Sequence, residues 1–515
     1  FMKIILSAKI PYNRLKADAF VVPLFKGEKE SAYVLPASIK KLVAIVIASK
    51  EFQGGAMETQ ALHVAGGVAR VCLLGLGEKR ECTLDSVQRA YGTAIMRLKK
   101  MKAKSVILLV REDAVKDKAV ADIVGAVALG ARIAHYVTHH YKGKKKKEVQ
   151  RVGRITLLIN HRGPTSVQRS DLKTSQYALR RAEVIADGLD FVRYIADSPA
   201  NYATPNYIAE SAKEIGKKIP GLTVTVLDKK QIEKEKMGGL LAVAQGSQHE
   251  PRFVICEYHG HLAHGQGAHG CKPIVLVGKG ITFDTGGISL KPWNKMEEMK
   301  FDMAGGAAVI ATVAIAARLK FPVHVVGLVP LAENMPSHTA YKPGDVITIS
   351  DGTTVEILTT DAEGRMVLAD GLSYAKKYKP SVIVDVATLT GAIVAALSDY
   401  ATGLFTGDDA LATTLERLGK ETGDRVWRMP MPKAWADHLK SPVADLRQVP
   451  SVRLADAIMA ALFLKNFVDA KTPWVHLDNA GTAWKTEGYP YAESGATGAP
   501  VQLLVRWLDE VSRQR

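Results

Sequence analysis

Apolar positions along this chain follow two rhythms. Val71-Cys-Leu-Leu-Gly-Leu76, Ser105-Val-Ile-Leu-Leu-Val110 and Arg154-Ile-Thr-Leu-Leu-Ile159 are unbroken runs of strand length. Ser86–Lys102 and Ala119–Tyr136 repeat apolar residues at helical spacing. Residues 165–196 read as one long connecting helix, which Ser198-Pro-Ala-Asn-Tyr-Ala-Thr-Pro205 interrupts before Asn206–Lys218 resumes helical periodicity. Further strands are predicted at Thr223–Leu227, Arg252–Tyr258, Pro273–Val277, Val323–Val329, Val355–Thr359, Ser381–Ala387, Gly403–Thr406 and Trp474–Leu477, most of them separated by helices. Uniformly apolar strands alternating with helices indicate an α/β fold with parallel strands buried on both faces. The reading is two-domain: an N-terminal α/β domain over 1–164, a connecting helix over 165–197, and a larger C-terminal α/β domain over 198–515 with a mostly parallel central sheet.

Two apolar stretches test for membrane or export. The run in Phe1–Lys9 is too short for a signal peptide and is expected to be a first strand. Met303–Ala317, the longest uncharged stretch, falls short of the roughly 20 residues a span needs and is expected to be a buried helix; no membrane partner is anticipated. Four cysteines, Cys72, Cys82, Cys256 and Cys271, form no CxxC pair, which favours a reduced, cytoplasmic setting.

Charge changes the picture at one end. The net charge of +17 resides wholly in residues 1–200, with 35 Lys+Arg against 18 Asp+Glu; residues 201–515 balance at 34 against 34. Lys142-Gly-Lys-Lys-Lys-Lys147 and Arg97–Lys104 are its densest parts. Such a face can bind nucleic acid, but no aromatic interleaving accompanies it, and a solvated basic loop and helix face is the favoured reading.

The chemistry concentrates in two segments: Gly278-Lys279-Gly-Ile-Thr-Phe-Asp284-Thr-Gly-Gly-Ile-Ser-Leu-Lys291 with Asp302 beyond it, and Thr359-Thr-Asp361-Ala-Glu363-Gly-Arg365. Both follow strand candidates, where ligands bind in open α/β sheets. Four carboxylates brought together repel unless cations neutralise them. Asp284, Asp302, Asp361 and Glu363 suit two oxygen-preferring divalent ions such as Mn, Mg or Zn, able to clamp a water and a carbonyl oxygen. Lys279 could ligate only as a neutral amine; Lys291 would stay charged and stabilise an oxyanion. Each residue also has a structural reading: Asp284-Thr-Gly-Gly as a turn, Asp361 as a helix cap with Glu363 on the dipole, Arg365 on the surface.

These residues closely resemble the M17 leucyl aminopeptidases over about 195–505. The resemblance includes Met299-Lys-Phe-Asp302-Met-Ala-Gly-Gly, Val386-Ala-Thr-Leu389-Thr-Gly391-Ala, His476-Leu-Asp-Asn-Ala480-Gly-Thr and Gly495-Ala-Thr-Gly498. It implies a leucyl aminopeptidase, a two-metal hydrolase holding Zn or Mn, with Co or Mg as alternatives. By resemblance, Asp284 and Glu363 bridge both ions, Lys279 and Asp302 complete the tighter site, and Asp361 serves the more exchangeable one. Lys291 and Arg365 are the implied catalytic residues. A water shared by the metals attacks, Lys291 holds the oxyanion, and Arg365 holds a bicarbonate as general base. Met299, Thr388, Leu389, Gly391, Ala480 and Ala483 line an apolar first-residue pocket that favours Leu-like side chains on peptides with a free amino terminus. A homohexamer is also implied. One departure stands out: Thr359 occupies a place where the family usually has Asn, so the loop's hydrogen bonding must be made differently. Cys256–Cys271, with His259, His261, His264 and His269, fits no standard zinc module and is expected to be a Gly-rich hairpin loop.

Overall fold

A computed structural model describes residues 2–7, 16–29, 35–64, 68–138, 141–143, 151–160, 169–260, 272–452 and 454–514. Contacts divide the chain into two units, Phe1–Asp187 with Thr486–Ser494, and Gly188–Lys485 with Gly495–Arg515.

In the first unit the apolar runs become β1 (Lys3–Ser7), β2 (Ala19–Leu24), β3 (Thr59–His63), β4 (Arg70–Gly75), β5 (Ser105–Arg111) and β6 (Arg154–Asn160). They form one sheet in the order β1-β6-β5-β2-β4-β3, parallel except for the β3–β4 edge. Helices Leu84–Lys100 and Val120–His135 fall within two residues of the predicted spans. Thr83 caps the first by accepting from Ser86 N, and Ser86 Oγ answers by accepting from Thr83 N. The sequence pattern missed β2, β3 and the helix Ala37–Ala48. Proline breaks the run in β2, and β3 is only half-buried. The basic stretch Arg97–Lys104 is not uniformly solvated. Lys99 is buried, its Nζ donating to the carbonyls of Ala134 and Tyr136 and pairing with Glu493 at 2.8 Å. Lys142 is exposed, whereas Lys144–Lys147 lie outside the described residues.

The second unit is built on a nine-stranded sheet. Its strands, with those of smaller sheets, are β7 (Leu222–Leu227), β8 (Arg252–His259), β9 (Ile274–Gly278), β10 (Gly280–Asp284), β11 (His324–Asn334), β12 (Val346–Thr348), β13 (Thr354–Glu356), β14 (Val382–Ala387), β15 (Thr402–Phe405), β16 (Val426–Arg428), β17 (Leu446–Arg447) and β18 (Trp474–Asp478). The sheet runs β16-β15-β18-β14-β9-β11-β8-β7, with β10 added parallel to β11. Its middle, β18-β14-β9-β11, is parallel; β15 against β18, and β7 and β8, run antiparallel. The fold class is therefore α/β with a mostly parallel central sheet.

Two expectations need correction. Val355–Thr359 does not enter the central sheet: only Thr354–Glu356 is strand, and it pairs with β12 and β17 in a three-stranded sheet. Nor do the strands flanking Cys256–Cys271 form a hairpin. β8 and β9 pair on opposite sides of β11, so the connection crosses from one side of that strand to the other. Residues 261–271 lie outside the described residues.

The uncharged stretch folds as the helix Ala304–Arg318, buried everywhere except at Arg318. Met296–Arg318 has the length and apolarity of a membrane span, but it is mostly buried within the fold, as a core helix is. Each fully buried Val or Ile here is worth roughly 1.5–3 kcal/mol. Gly306 N donates to the Lys279 carbonyl at 2.7 Å, tying the helix to the point where the chain leaves β9. That tie, and the parallel strand ends around it, position the functional groups.

Candidate active site

Polar residues cluster at the carboxyl ends of the parallel strands: Lys279 after β9, Asp284 ending β10, Asn334 ending β11, Thr388 after β14 and Asp478 ending β18. Lys279 reaches inward past Gly364, where an added Cβ would stand 2.6 Å from the lysine Cε. Its Nζ lies 2.9 Å from both Asp302 Oδ2 and Glu363 Oε1 and donates to the Thr388 carbonyl at 2.8 Å. Asp302 follows the 3-10 turn Met296–Phe301, and Thr388 Oγ1 fixes its Oδ1 at 2.7 Å.

Asp284 is oriented from one side. Its Oδ1 accepts from Gly286 N and Asn334 Nδ2, each at 2.8 Å, and its Oδ2 faces Lys291 Nζ at 2.9 Å. The turn reading and the functional reading of Asp284 thus hold together, one on each oxygen. Lys291 also pairs with Asp361. One oxygen each from Asp284, Asp361 and Glu363 fall within 4.8 Å of one another. All five residues expected to bind metal, with Lys291, therefore form one connected cluster.

The helix Glu363–Ala375 starts here. Its capping position is Ala362, without a side-chain cap, so the alternative of Asp361 as cap does not hold. Glu363 is 1% exposed in the first turn, where the helix dipole favours its charge. Arg365 is 3% exposed, which removes its surface reading. Its Nη1 donates to the Gln448 carbonyl and its Nη2 pairs with Asp456, both at 2.9 Å. Its buried Nε meets no acceptor among the described residues. Thr359 meets the hydrogen-bonding need at its loop with a hydroxyl: Thr359 Oγ1 accepts from Asp361 N at 3.3 Å. Gln448 completes the loop, its Oε1 accepting from the N–H groups of Leu358 and Thr359 at 2.7 and 3.2 Å.

Electrostatics follow from burial. Removal from water disfavours both lysine charges, yet the surrounding carboxylates outweigh it and hold Lys279 and Lys291 above the ordinary ammonium range. Burial pushes Asp302, Glu363 and Asp361 upward, against the pull of the lysines. Four carboxylates thus face two ammoniums. Among the described residues, the buried oxygens Asp302 Oδ2 and Glu363 Oε1 are met by the Lys279 ammonium alone, at 2.9 Å each. A surplus of hard, buried oxygen donors fits divalent cations. It also means that Lys279 would ligate only after losing its proton to make way for an ion.

Of the expected pocket residues, Met299 and Thr388 adjoin Asp302, and Leu389 and Ala480 share Asp478. Met299 lies one turn before Asp302, which donates back to its carbonyl at 3.2 Å. Leu389 N and Ala480 N both donate to Asp478 Oδ1, at 3.0 and 3.2 Å, which brings these two residues together. Gly391 opens an exposed helix turn, while Ala483 is 1% exposed within the core. Thr388 turns its hydroxyl to Asp302. Sequence reasoning missed Asn334, Thr360, Gln448 and the Asp385–His476 pair. Asn334 Nδ2 also donates to the Thr360 carbonyl at 3.0 Å, and Tyr341 OH donates to the same oxygen at 2.9 Å. Its signal was available: a polar residue ending the longest apolar strand. His476 Nδ1 meets Asp385 Oδ1 at 2.5 Å; burial opposes the imidazolium, but Asp385 outweighs it and raises the group.

Comparison with known proteins agrees with this geometry. Residues 190–505 match the catalytic domain of the cytosol aminopeptidase family, and residues 21–145 match its N-terminal domain. A probable cytosol aminopeptidase of Ralstonia pickettii (strain 12J) is 42% identical over 499 residues, covering 96% of each chain. Another, of Geobacter sulfurreducens, is 41% identical over 476 residues, covering 92% of this chain and 91% of its own. Among solved structures, the bottromycin maturation enzyme BotP, also solved in complex with Mn, superposes with a TM-score of 0.81 at 32% identity, covering 96% of this chain and all of its own. With both domains matched and the strand-end carboxylates gathered, the chain belongs to the cytosol aminopeptidase family of metal-dependent peptidases.

Proposed function

We propose that this chain removes N-terminal residues, preferentially Leu and similar apolar ones, from peptides with a free amino terminus. The observation that carries this reading is the excess of acid in the cluster: Asp284, Asp302, Asp361 and Glu363 against Lys279 and Lys291. Asp284, Asp302, Asp361 and Glu363, with Lys279 as a neutral amine, would hold two divalent ions. Manganese or zinc suits this donor set, and BotP's complex with Mn supports manganese. When bound, the ions supply the positive charge that polarises the scissile carbonyl and acidifies a water.

The chain's own residues do the rest. Lys291, with its side chain 23% exposed, can leave the carboxylates and donate to the carbonyl oxygen as negative charge grows there. Arg365 has a buried Nε–H to offer an anion, which suits a bicarbonate acting as general base. That assignment fits a site whose carboxylates are all committed. Leu389 and Ala480, held side by side on Asp478 and packed against the core, would form the floor of the first-residue pocket with Met299. A methylene in such a pocket is worth about 1–3 kcal/mol, so preference should be graded. This reading carries with it a homohexameric, cytosolic enzyme.

The test is hydrolysis of Leu-aminomethylcoumarin by metal-stripped protein, with and without Mn²⁺, beside acetyl-Leu-aminomethylcoumarin. Metal-restored cleavage of the free-amine substrate alone is expected. Equal cleavage of the blocked substrate would reject the aminopeptidase reading, and no cleavage by folded protein with any of Mn²⁺, Zn²⁺ or Co²⁺ would reject the enzymatic reading.

A further inference from the structure

The sheet carries a second convergence of metal-ligating atoms, separate from the carboxylate cluster. Glu257 and His259 stand two residues apart near the end of β8, so their side chains share a face. His324 opens β11 and pairs in register with His259 across the antiparallel ladder. Glu257 Oε1 lies 2.8 Å from His324 Nε2 and 3.1 Å from His259 Nε2, and the two imidazole centroids are 4.0 Å apart. One ligand atom from each of the three falls within 4.8 Å of the others.

These spacings are close to what a tetrahedral ion needs. With metal–ligand bonds of about 2.0–2.1 Å, ligand atoms around tetrahedral zinc stand about 3.3 Å apart. Rotation of the side chains, which splays the two rings now 4.0 Å apart, would open the present contacts to that distance. Two imidazoles and a carboxylate are a borderline donor set that suits Zn²⁺. The side chains of Glu257 and His259 are 27% and 37% exposed and that of His324 is 11% exposed, so an ion can enter and keep a water as its fourth ligand. The competing account is an ion pair shared by two histidines. That account also brings both Nε2 atoms to Glu257 Oε1, and metal uptake separates the two.

We propose that Glu257, His259 and His324 form a zinc-binding site that ties the end of β8 to the start of β11. It is independent of peptide hydrolysis and uses none of the residues assigned to it. The position has a structural meaning. β8 and β9 flank β11, and the connection between them leaves β8 directly after this site, so a bound ion would clamp the sheet where the chain crosses over β11.

The experiment is zinc uptake by the full-length protein at equilibrium, with the metal content per chain measured for the native protein, Glu257→Gln and His324→Gln. Mn²⁺-supported peptidase activity in each variant serves as the check on folding. About one fewer zinc per chain is expected in both variants, with activity retained, and a zinc-dependent rise in Tm present in the native protein and lost in the variants. The difference between variant and native protein does not depend on how many ions the carboxylate cluster takes. Uptake unchanged in both variants overturns the site, including the case in which only replacing His261, His264 and His269 removes the ion.

Discussion

Both units bury charge at the carboxyl ends of parallel strands, but they balance it differently. In the first unit Arg111 ends β5 with 2% of its side chain exposed. It forms a bidentate pair with Glu28, meets Asp113 Oδ1 through Nε at 2.6 Å, and lies over the Phe25 ring at 4.4 Å. Lys79 adds a second cation on Asp113 at 2.7 Å. Among the described residues, the carboxylates of Glu28 and Asp113 thus face the cations of Arg111 and Lys79. In the second unit four carboxylates face two cations. Position in the fold is the same, and composition is similar. The arithmetic of charge distinguishes a cluster that holds itself together from one that draws in ions.

The most severe test of that contrast is Lys291→Ala. If Lys291 only neutralised Asp284 and Asp361, its loss would be compensated by tighter metal binding, with activity kept. As an oxyanion donor, its removal should lower kcat by about 10²–10³-fold while leaving the metals bound. Steady-state kinetics with metal content measured on the same sample decides between the two. Retained kcat would reassign Lys291 to charge balance.

Much of this was legible in the sequence, for physical reasons that also explain the gaps. Parallel strands buried on both faces must be apolar throughout, so β5, β6, β9 and β14 announced themselves. Lys279, Asp284, Asp361 and Glu363 stood out because charge is expensive directly beside such runs. β3 escaped because an edge strand is half solvated and carries no such mark. Val355–Thr359 misled because a short apolar run has the same pattern in a small three-stranded sheet as in a core sheet. Asn334 and Gln448 were overlooked for a different reason. Neutral amides carry no charge to mark them, so Gln448, which supports the turn before Asp361, reads like any loop residue, and Asn334, which orients Asp284, is marked only by ending the apolar strand β11. The turn of Lys99 away from solvent is likewise set by Glu493, nearly four hundred residues away in the chain.

The first unit's cluster can be broken without touching chemistry. Arg111→Met removes the cation from between Glu28 and Asp113. A fully buried pair would lose about 3–5 kcal/mol on such a change. Glu28 and Asp113 keep 21% and 32% exposure and can rehydrate, so a loss of roughly 1–3 kcal/mol is expected. Denaturant unfolding should show it, and kcat per folded molecule should be unchanged. A drop in kcat at full folding would mean that the balanced cluster serves the reaction, and the contrast with the second unit would fail.

Asp370 sharpens the comparison further, because it is a buried acid with no cation on it among the described residues. It lies in the same helix as Glu363 and Arg365, and its two oxygens accept from Leu240 N and Ser350 N at 2.8 Å each. Burial pushes its carboxyl up to about 7 from an ordinary value of 3.8, in spite of these bonds. The sign follows from proton linkage. Between about pH 4 and pH 7 the folded protein keeps a proton that the unfolded chain has released, so the unfolded state binds fewer protons. This contribution to stability is therefore fully present below about pH 4, declines as pH rises, and is flat above about pH 7. The slope from one such group is at most about 1.4 kcal/mol per pH unit. Asp370→Asn, which cannot titrate, should remove it, so native stability measured against the variant by denaturant unfolding should fall across that window. A difference independent of pH would mean that two backbone N–H groups suffice to keep a buried carboxylate charged, and that burial without a cation does not by itself keep a carboxyl protonated in this fold.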